Sequence, residues 1–377
     1  MNTAPRPLVD RYGRVHTDLR VSLTDRCNLR CTYCMPAEGL AWLPKDEALG
    51  DDEVVRLVRI AVRRLGIASV RLTGGEPLLR RGLPGLVRRI TELGPEVSLT
   101  TNGIGLARTA GELKAAGLHR VNVSLDTLRP ERYAAITRRD RIADVFAGLA
   151  AARAAGLDPV KVNAVPVRGV NDDELVPLVE FAAGHGYRMR FIESMPLDAQ
   201  GAWDRGRMVT ADEILAVLGA RWELLPVGGP AGAGRSAGTP GAEGSEGSEG
   251  SAGASGAVGP GGRTAGPAWR DGSAGRATPP AEEWRIAGTD TVVGVIASVT
   301  RPFCGGCDRV RLTADGQLRN CLFATEESDL RALLRGGADD ARIEAAWRAA
   351  IAGKGPGHAI GAAGFVRPAR PMSAIGG

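Results

Sequence analysis

The 377-residue chain is 44% hydrophobic with a formal net charge of +5, which suits one large domain with a smaller appendage. The positive excess is nearly all arginine, since Lys45, Lys114, Lys161 and Lys354 are the four lysines, and with 4% aromatics and no run of like charge it does not predict a nucleic-acid binder. No apolar leader or long apolar run is present, so no membrane span is expected, and six cysteines grouped at C-x2-C spacing read as metal ligands of a cytoplasmic protein rather than as disulfides.

Residues 1–14 are polar and proline-containing and are expected to form a flexible arm. A strand over 19–23 then feeds the segment Asp25-Arg26-Cys27-Asn28-Leu29-Arg30-Cys31-Thr32-Tyr33-Cys34. Its three cysteines, Cys27, Cys31 and Cys34, are spaced C-x3-C-x2-C with no fourth nearby. Three thiolates suit a 4Fe–4S cluster that keeps one iron open, whereas a closed cluster or a structural zinc site calls for four ligands. A zinc knuckle or a set of buried structural thiols is the bland alternative.

Beyond this loop a helix capped by Asp51 or Asp52 runs to Leu65, and strands over 69–73, 97–100, 120–125, 160–165 and 187–192 alternate with amphipathic helices. Six strands in such alternation predict right-handed parallel βαβ units. Polar residues inside the strands argue against a doubly wound sheet with apolar strands throughout. The expected fold is α/β, an incomplete (β/α)6 TIM-type barrel over 15–225, whose chemistry gathers at the C-terminal strand ends. Gly74-Gly75-Glu76-Pro77, Thr101-Asn102-Gly103, Asp126 and Glu193-Ser194-Met195-Pro196 all fall there. Arg20, Arg71, Lys161 and Arg190 lie within strands, where an unpaired charge is costly unless it faces a wet or ligand-filled lumen. Ion pairing with Glu76, Asp126 or Glu193 is the alternative. Four cations around one cavity would suit a triphosphate.

Residues 226–282 are dominated by Gly, Ala, Ser and Pro and are expected to be a disordered, dispensable insertion. The C-terminal region, 283–377, carries a second trio, Cys304, Cys307 and Cys321, with a β-hairpin expected to bring Cys321 back beside the first two, followed by two helices. Spacing alone leaves an open iron–sulfur cluster and a zinc ribbon evenly matched, with His358 as the one downstream histidine. Arg309 and Arg311 alternate on one strand and so share a face, which favours a pocket for an anionic ligand beside an open iron. The chain ends Gly376-Gly377.

Taken together, these motifs resemble the GTP 3′,8-cyclases of molybdenum-cofactor biosynthesis, a family of radical S-adenosylmethionine (SAM) enzymes. The likeness runs over about 18–196 and 294–323 and includes the cysteine loop, Arg71-Leu72-Thr73-Gly74-Gly75-Glu76-Pro77 and Phe303-Cys304-Gly305-Gly306-Cys307-Asp308-Arg309-Val310-Arg311. It implies two 4Fe–4S clusters and SAM as cofactors and GTP as substrate. By that likeness Tyr33, Gly75, Ser124 and Met195 would contact SAM. Arg20, Arg71, Thr100, Lys161, Arg309, Val310 and Arg311 would contact GTP, and Gly376 and Gly377 would reach into the active site as catalytic residues. The implied partners are an electron donor such as a flavodoxin or ferredoxin and a downstream cyclic pyranopterin monophosphate synthase, with a homodimer as an option. Asp308 departs from the asparagine usual there, and the insertion is unusually long. A peptide-modifying radical SAM enzyme with an auxiliary cluster and a non-enzymatic metal protein are the competing readings.

Overall fold

The computed structural model describes residues 5–227 and 280–376. The chain opens with a small antiparallel pair, β1 (Leu8–Val9) and β2 (Val15–His16). It continues through β3 (Asp18–Ser22), α1 (Asp51–Leu65), β4 (Ser69–Thr73), α2 (Leu83–Thr91), β5 (Glu96–Thr101) and α3 (Leu106–Ala115). Next come β6 (Arg120–Ser124), α4 (Pro130–Thr137), α5 (Ile142–Ala154), β7 (Lys161–Ala164), α6 (Leu175–Gly184) and β8 (Arg188–Ile192). The remainder is α7 (Ala211–Gly219), β9 (Leu224–Pro226), β10 (Glu282–Ile286), β11 (Val292–Ile296), β12 (Arg309–Leu312), β13 (Gln317–Arg319), β14 (Ser328–Asp329), α8 (Leu330–Arg335), α9 (Asp340–Ala352) and α10 (Met372–Ile375).

Among the described residues, twelve strands form one sheet in the order β14-β13-β12-β3-β4-β5-β6-β7-β8-β11-β10-β9. The six strands from β3 to β8 are parallel neighbours in sequence order, the expected partial barrel. Side chains alternate along each of them. Leu19, Val21, Val70, Leu72, Val97, Leu99, Val121, Val123 and Val162 enter one apolar core beneath the helices. Their neighbours Arg20, Arg71, Ser98, Asn122 and Lys161 fall on the opposite face. A two-residue period therefore separates packing from chemistry within each strand. In α1, Val54, Leu57, Val58, Ala61 and Leu65 bury one face. Complete burial of such a side chain is worth about 1.5–3 kcal/mol. The helix starts at Asp51 with Gly50 as its cap, so Asp51 and Asp52 lie in the first turn rather than capping it. Glu53 accepts the Gly50 N–H at 2.8 Å.

The C-terminal region does not stand apart from the barrel. β12 pairs in parallel with β3, and β11 pairs in parallel with β8, so it extends the sheet at both margins. The expected hairpin is present, with Arg311 opposite Arg319 and Leu312 opposite Leu318.

Two expectations change. Over 5–14 the flexible arm is a docked element: Leu8 is wholly buried in the main core, Leu8 and Val9 pair with His16 and Val15, and the Asp10 carboxylate caps the turn by accepting the Tyr12 N–H at 2.8 Å. Residues 1–4 lie outside the described residues. The insertion 226–282 is narrower, because Pro226 and Glu282 belong to β9 and β10, which pair antiparallel, with Pro226 opposite Trp284. Its interior, 228–279, lies outside the described residues. No helix among the described residues is long and apolar enough to cross a membrane.

Because β9 and β10 already meet as a hairpin would, a short turn in place of 228–279 closes the same connection. Loop entropy changes slowly with length, so the shortened chain should keep its stability within about 1–2 kcal/mol, read as a matching thermal unfolding midpoint. A chain that no longer folds would show that the segment contributes to the core.

Candidate active site

The first cysteine loop leaves β3 and is held from two sides. Gly75 and Glu76 donate backbone N–H groups to the carbonyls of Thr24 and Arg26, at 2.6 and 2.7 Å. On the other side Arg30 and Thr32 donate to the carbonyls of Thr137 and Ile136 at the end of α4. A Cβ on Gly75 would lie 2.3 Å from the Arg26 carbonyl oxygen and 2.4 Å from that of Asp25, backbone atoms that cannot turn aside. The glycine pair thus lets two segments of this chain approach each other, a tighter requirement than the ligand approach read from the motif.

The three thiols of this loop open onto one cavity with Gly75, Thr100 and Ser124. Burial raises Cys27 and Cys31 above the usual thiol range and pushes Cys34 up to about 12. The hydroxyl of Tyr133, beside Cys31 and Asp126, is buried without a hydrogen-bond partner. Tyr33 donates to Asp126 at 2.6 Å and lines both this cavity and a second one, where Met195 lies. All four residues assigned to SAM by resemblance thus border two adjoining cavities.

The acidic residues at the strand ends are committed to loops. Glu76 accepts from Thr101 Oγ1 at 2.6 Å and from the N–H groups of Asn102 and Leu78; burial nonetheless raises it to about 7. Asp126 accepts from Tyr33 and from the Val165 N–H. Glu193 accepts the N–H groups of Ala211, Val299 and Thr300 and the Thr300 hydroxyl. These carboxylates hold neighbouring loops together; their hydrogen bonds do not run to the strand cations, as the ion-pair alternative required.

The cations stand in register. Arg311 on β12 is opposite Arg20 on β3, which is opposite Arg71 on β4. All three are buried. Like charges on directly opposed positions repel. The Arg20 Nε has no hydrogen-bond partner, and burial followed by Arg309, Arg71 and Arg311 lowers the affinity of Arg20 for its proton well below the arginine norm. Arg71 reaches Ser98 at 3.4 Å, and Arg190 donates to Asn163 and Asn122 at 3.0 and 2.8 Å. Burial and then Arg190 and Arg120 lower Lys161 to about 7. Arg309 sits over the Phe303 ring at 4.4 Å, with Asp18 3.9 Å away. The Val310 side chain is in the apolar core, so only its backbone is left for a ligand.

The second trio, Cys304, Cys307 and Cys321, gathers where β12 begins and β13 ends. Burial raises Cys321, with further influence from Cys307 and Cys304. His358, the fourth ligand a zinc ribbon would need, is otherwise engaged: Nε2 lies 2.9 Å from the Ser298 carbonyl and Nδ1 accepts the Ile360 N–H at 3.1 Å. Asp308 is buried and accepts from the Thr17 hydroxyl at 2.9 Å, tying this region to the entry of β3.

The tail links the two regions. Ser373 hydrogen-bonds Cys34, the Ile375 carbonyl accepts from Ser22 at 2.8 Å, and the Gly376 carbonyl accepts from Arg311. Gly376 adopts φ +84°, and a Cβ there would lie 2.3 Å from Ser22 Oγ. One small apolar cluster of Leu197, Phe323 and Ile375 packs against both Met195 and Cys321, so the tail that touches Cys34 through Ser373 also packs beside the second trio. Gly377 lies outside the described residues.

Residues 21–182 match the Radical SAM superfamily, and residues 268–360 match Molybdenum Cofactor Synthesis C. A GTP 3′,8-cyclase of Streptomyces coelicolor is 57% identical over 98% of this chain and 96% of its own length. Another, from Mycolicibacterium smegmatis, is 54% identical over 99% of this chain and 93% of its own. The chain belongs to the GTP 3′,8-cyclase family. That membership decides against the peptide-modifying and non-enzymatic alternatives.

The cofactors of a GTP 3′,8-cyclase are SAM and two 4Fe–4S clusters, and the residues here fit them. Each trio offers sulfur donors alone, and a metal centre stabilises the thiolates that burial disfavours in the first. Sequence reasoning missed the tie between Tyr33 and Asp126 and the loop-holding roles of Glu76 and Glu193; a carboxylate directly after a strand was the available signal.

Replacing Arg20 by Met removes the middle charge of a repelling row. The ligand-free protein should gain about 1–2 kcal/mol of stability, since buried charge is often bettered by an apolar residue of similar size. Triphosphate binding should weaken in the same variant. Parallel thermal melts and titrations would read both, and a loss of stability in the ligand-free state would refute the repulsion.

Proposed function

We propose that the arginine-lined lumen of this chain binds GTP between the two thiol trios, where it is cyclised to (8S)-3′,8-cyclo-7,8-dihydroguanosine 5′-triphosphate, the first step of molybdenum-cofactor biosynthesis. The observation that carries this reading is the buried in-register row Arg311, Arg20 and Arg71, in which the neighbouring guanidiniums weigh more on Arg20 than the attraction of Asp18 does. A triphosphate supplies the missing negative charge, and guanidinium forks match phosphate oxygens in pairs. Thr100, Lys161, Arg309 and the backbone of Val310 complete the GTP contacts. Tyr33, Gly75, Ser124 and Met195 hold SAM.

Cys27, Cys31 and Cys34 would hold the first cluster beside SAM, and together the two groups would supply radical chemistry at the ribose when bound. This chain's residues hold the two reactants in one orientation and limit water. Gly376 accepts a hydrogen bond from Arg311 and places a side-chain-free residue against the lumen, and Gly376 and Gly377 are the proposed catalytic tail. An electron donor such as a flavodoxin or ferredoxin, a downstream cyclic pyranopterin monophosphate synthase, a cytoplasmic setting and a homodimeric state complete the proposal.

Anaerobic incubation with SAM, a reductant and GTP should yield 5′-deoxyadenosine together with loss of GTP. Deoxyadenosine formed with GTP left intact would refute the substrate assignment.

Lys161 gives the binding a pH dependence. Its proton affinity is depressed to about 7, so above that pH the free protein carries a neutral amine. A bound triphosphate favours the ammonium, so binding takes up a proton and weakens as pH rises, by at most about tenfold per unit. In the ligand-free protein the sign is opposite: the unfolded chain keeps the proton to about pH 10, so this residue adds stability as pH rises from about 7. GTP titrations between pH 7 and 9 should show the weakening, and Lys161→Met should flatten it. An unchanged slope in the variant would remove Lys161 from the site.

A further inference from the structure

Behind the second trio runs a chain of buried polar side chains that the GTP and SAM contacts leave unused. Lys354 is 3% exposed, His16 is fully buried and Asp10 is 6% exposed. The Lys354 ammonium lies 3.7 Å from the Cys307 sulfur and donates to the Arg309 carbonyl at 2.8 Å. It also lies 3.4 Å from His16 Nδ1, while His16 Nε2 lies 3.1 Å from Asp10 Oδ2. Arg14 closes the far end, donating to Asp10 Oδ2 at 2.6 Å and to the Cys304 carbonyl at 2.7 Å.

The chemistry fixes the tautomer. An ammonium only donates, so Nδ1 of His16 is the acceptor and Nε2 carries the proton directed at Asp10. Burial, reinforced by the nearby Lys354, depresses His16 to about 4, which keeps the imidazole neutral. The result is an ordered series: carboxylate, neutral imidazole, ammonium, cysteine sulfur. It resembles the outer partners that orient metal ligands and adjust their electron density. A lysine placed only to satisfy the Arg309 carbonyl would need neither the histidine nor the carboxylate behind it.

We propose that Lys354 is a positioning residue of the second iron–sulfur centre, fixing the Cys307 sulfur and setting the centre's reduction potential, with His16 and Asp10 orienting the ammonium from behind. This rests on the second trio holding a 4Fe–4S cluster, which iron content reports separately from potential. Hydrogen bonds and net charge around the sulfurs are among the determinants of such potentials. An ammonium beside a thiolate favours the more negative, reduced state, and a carboxylate farther back opposes it.

The test is a spectroscopically monitored redox titration of the anaerobic holoenzyme, with added GTP marking the second centre's signal. The parent protein should carry about eight irons per chain. Lys354→Met should lower the midpoint of the second centre and leave the first unchanged, and Lys354→Arg should restore most of the shift. Asp10→Asn should move the same midpoint the opposite way, an outcome that general loosening of the fold would not produce. Shifts of the same sign, or no shift with iron content full, would overturn the proposal. Loss of the second centre's iron in Lys354→Met, Lys354→Arg and Asp10→Asn alike would also overturn it, leaving a packing role. Absence of that iron from the parent protein would instead refute the cluster on which the proposal stands.

Discussion

A surplus of positive charge held inside a barrel is the constraint on which the rest depends. In a parallel sheet, residues in register on adjacent strands stand about 5 Å apart. Arg311, Arg20 and Arg71 occupy three such positions. Glu76, Asp126 and Glu193 are each turned to loop amides and hydroxyls, and Asp18 offsets the row only in part. The ligand-free fold therefore carries unfavourable electrostatic energy, and an entering polyanion relieves it. Binding and folding are coupled through one set of charges.

The same strand ends that hold these cations also position the metal-binding loops. The glycines after β4 touch the backbone of the loop after β3, and Glu76 ties that arrangement to Thr101 and Asn102 on the next strand. The loop carrying Cys27, Cys31 and Cys34 is thereby referenced to three consecutive strands. The C-terminal tail references it to the other thiol trio as well, by touching Cys34 with Ser373 and Arg311 with Gly376. Orientation of two reactants is where such rigidity pays, since reaction rates fall steeply when the reacting groups are misplaced by even 1 Å.

Much of this was legible in the linear chain because barrel strands are short and periodic. Alternation of Arg20 with Leu19 and Val21, or of Arg71 with Val70 and Leu72, marks both a strand and the face that meets the lumen. Local reading failed where the decisive partner is remote. Leu8 is unremarkable until α9, more than three hundred residues later, supplies the surface that covers it. Nothing near β11 or β12 announces that they pair with β8 and β3. Lys354 sits among glycines with no periodic pattern around it, and its role emerges only once His16 and Cys307 are brought to it. The choice between iron and zinc at the second trio was likewise left open by spacing and was informed by the hydrogen bonds of His358.

The placement of β11 and β12 bears on how the molecule is made. The two margins of the six-stranded core, β8 and β3, are each covered by a strand from the last third of the chain. During synthesis the core strands emerge first and present unpaired backbone along both edges until that last third arrives. Exposed edges of this kind invite pairing with other chains. Between the emergence of β8, which ends at Ile192, and that of β11, which begins at Val292, the nascent chain thus has two sticky borders, and termination in that interval leaves a product open on both sides rather than a smaller working enzyme.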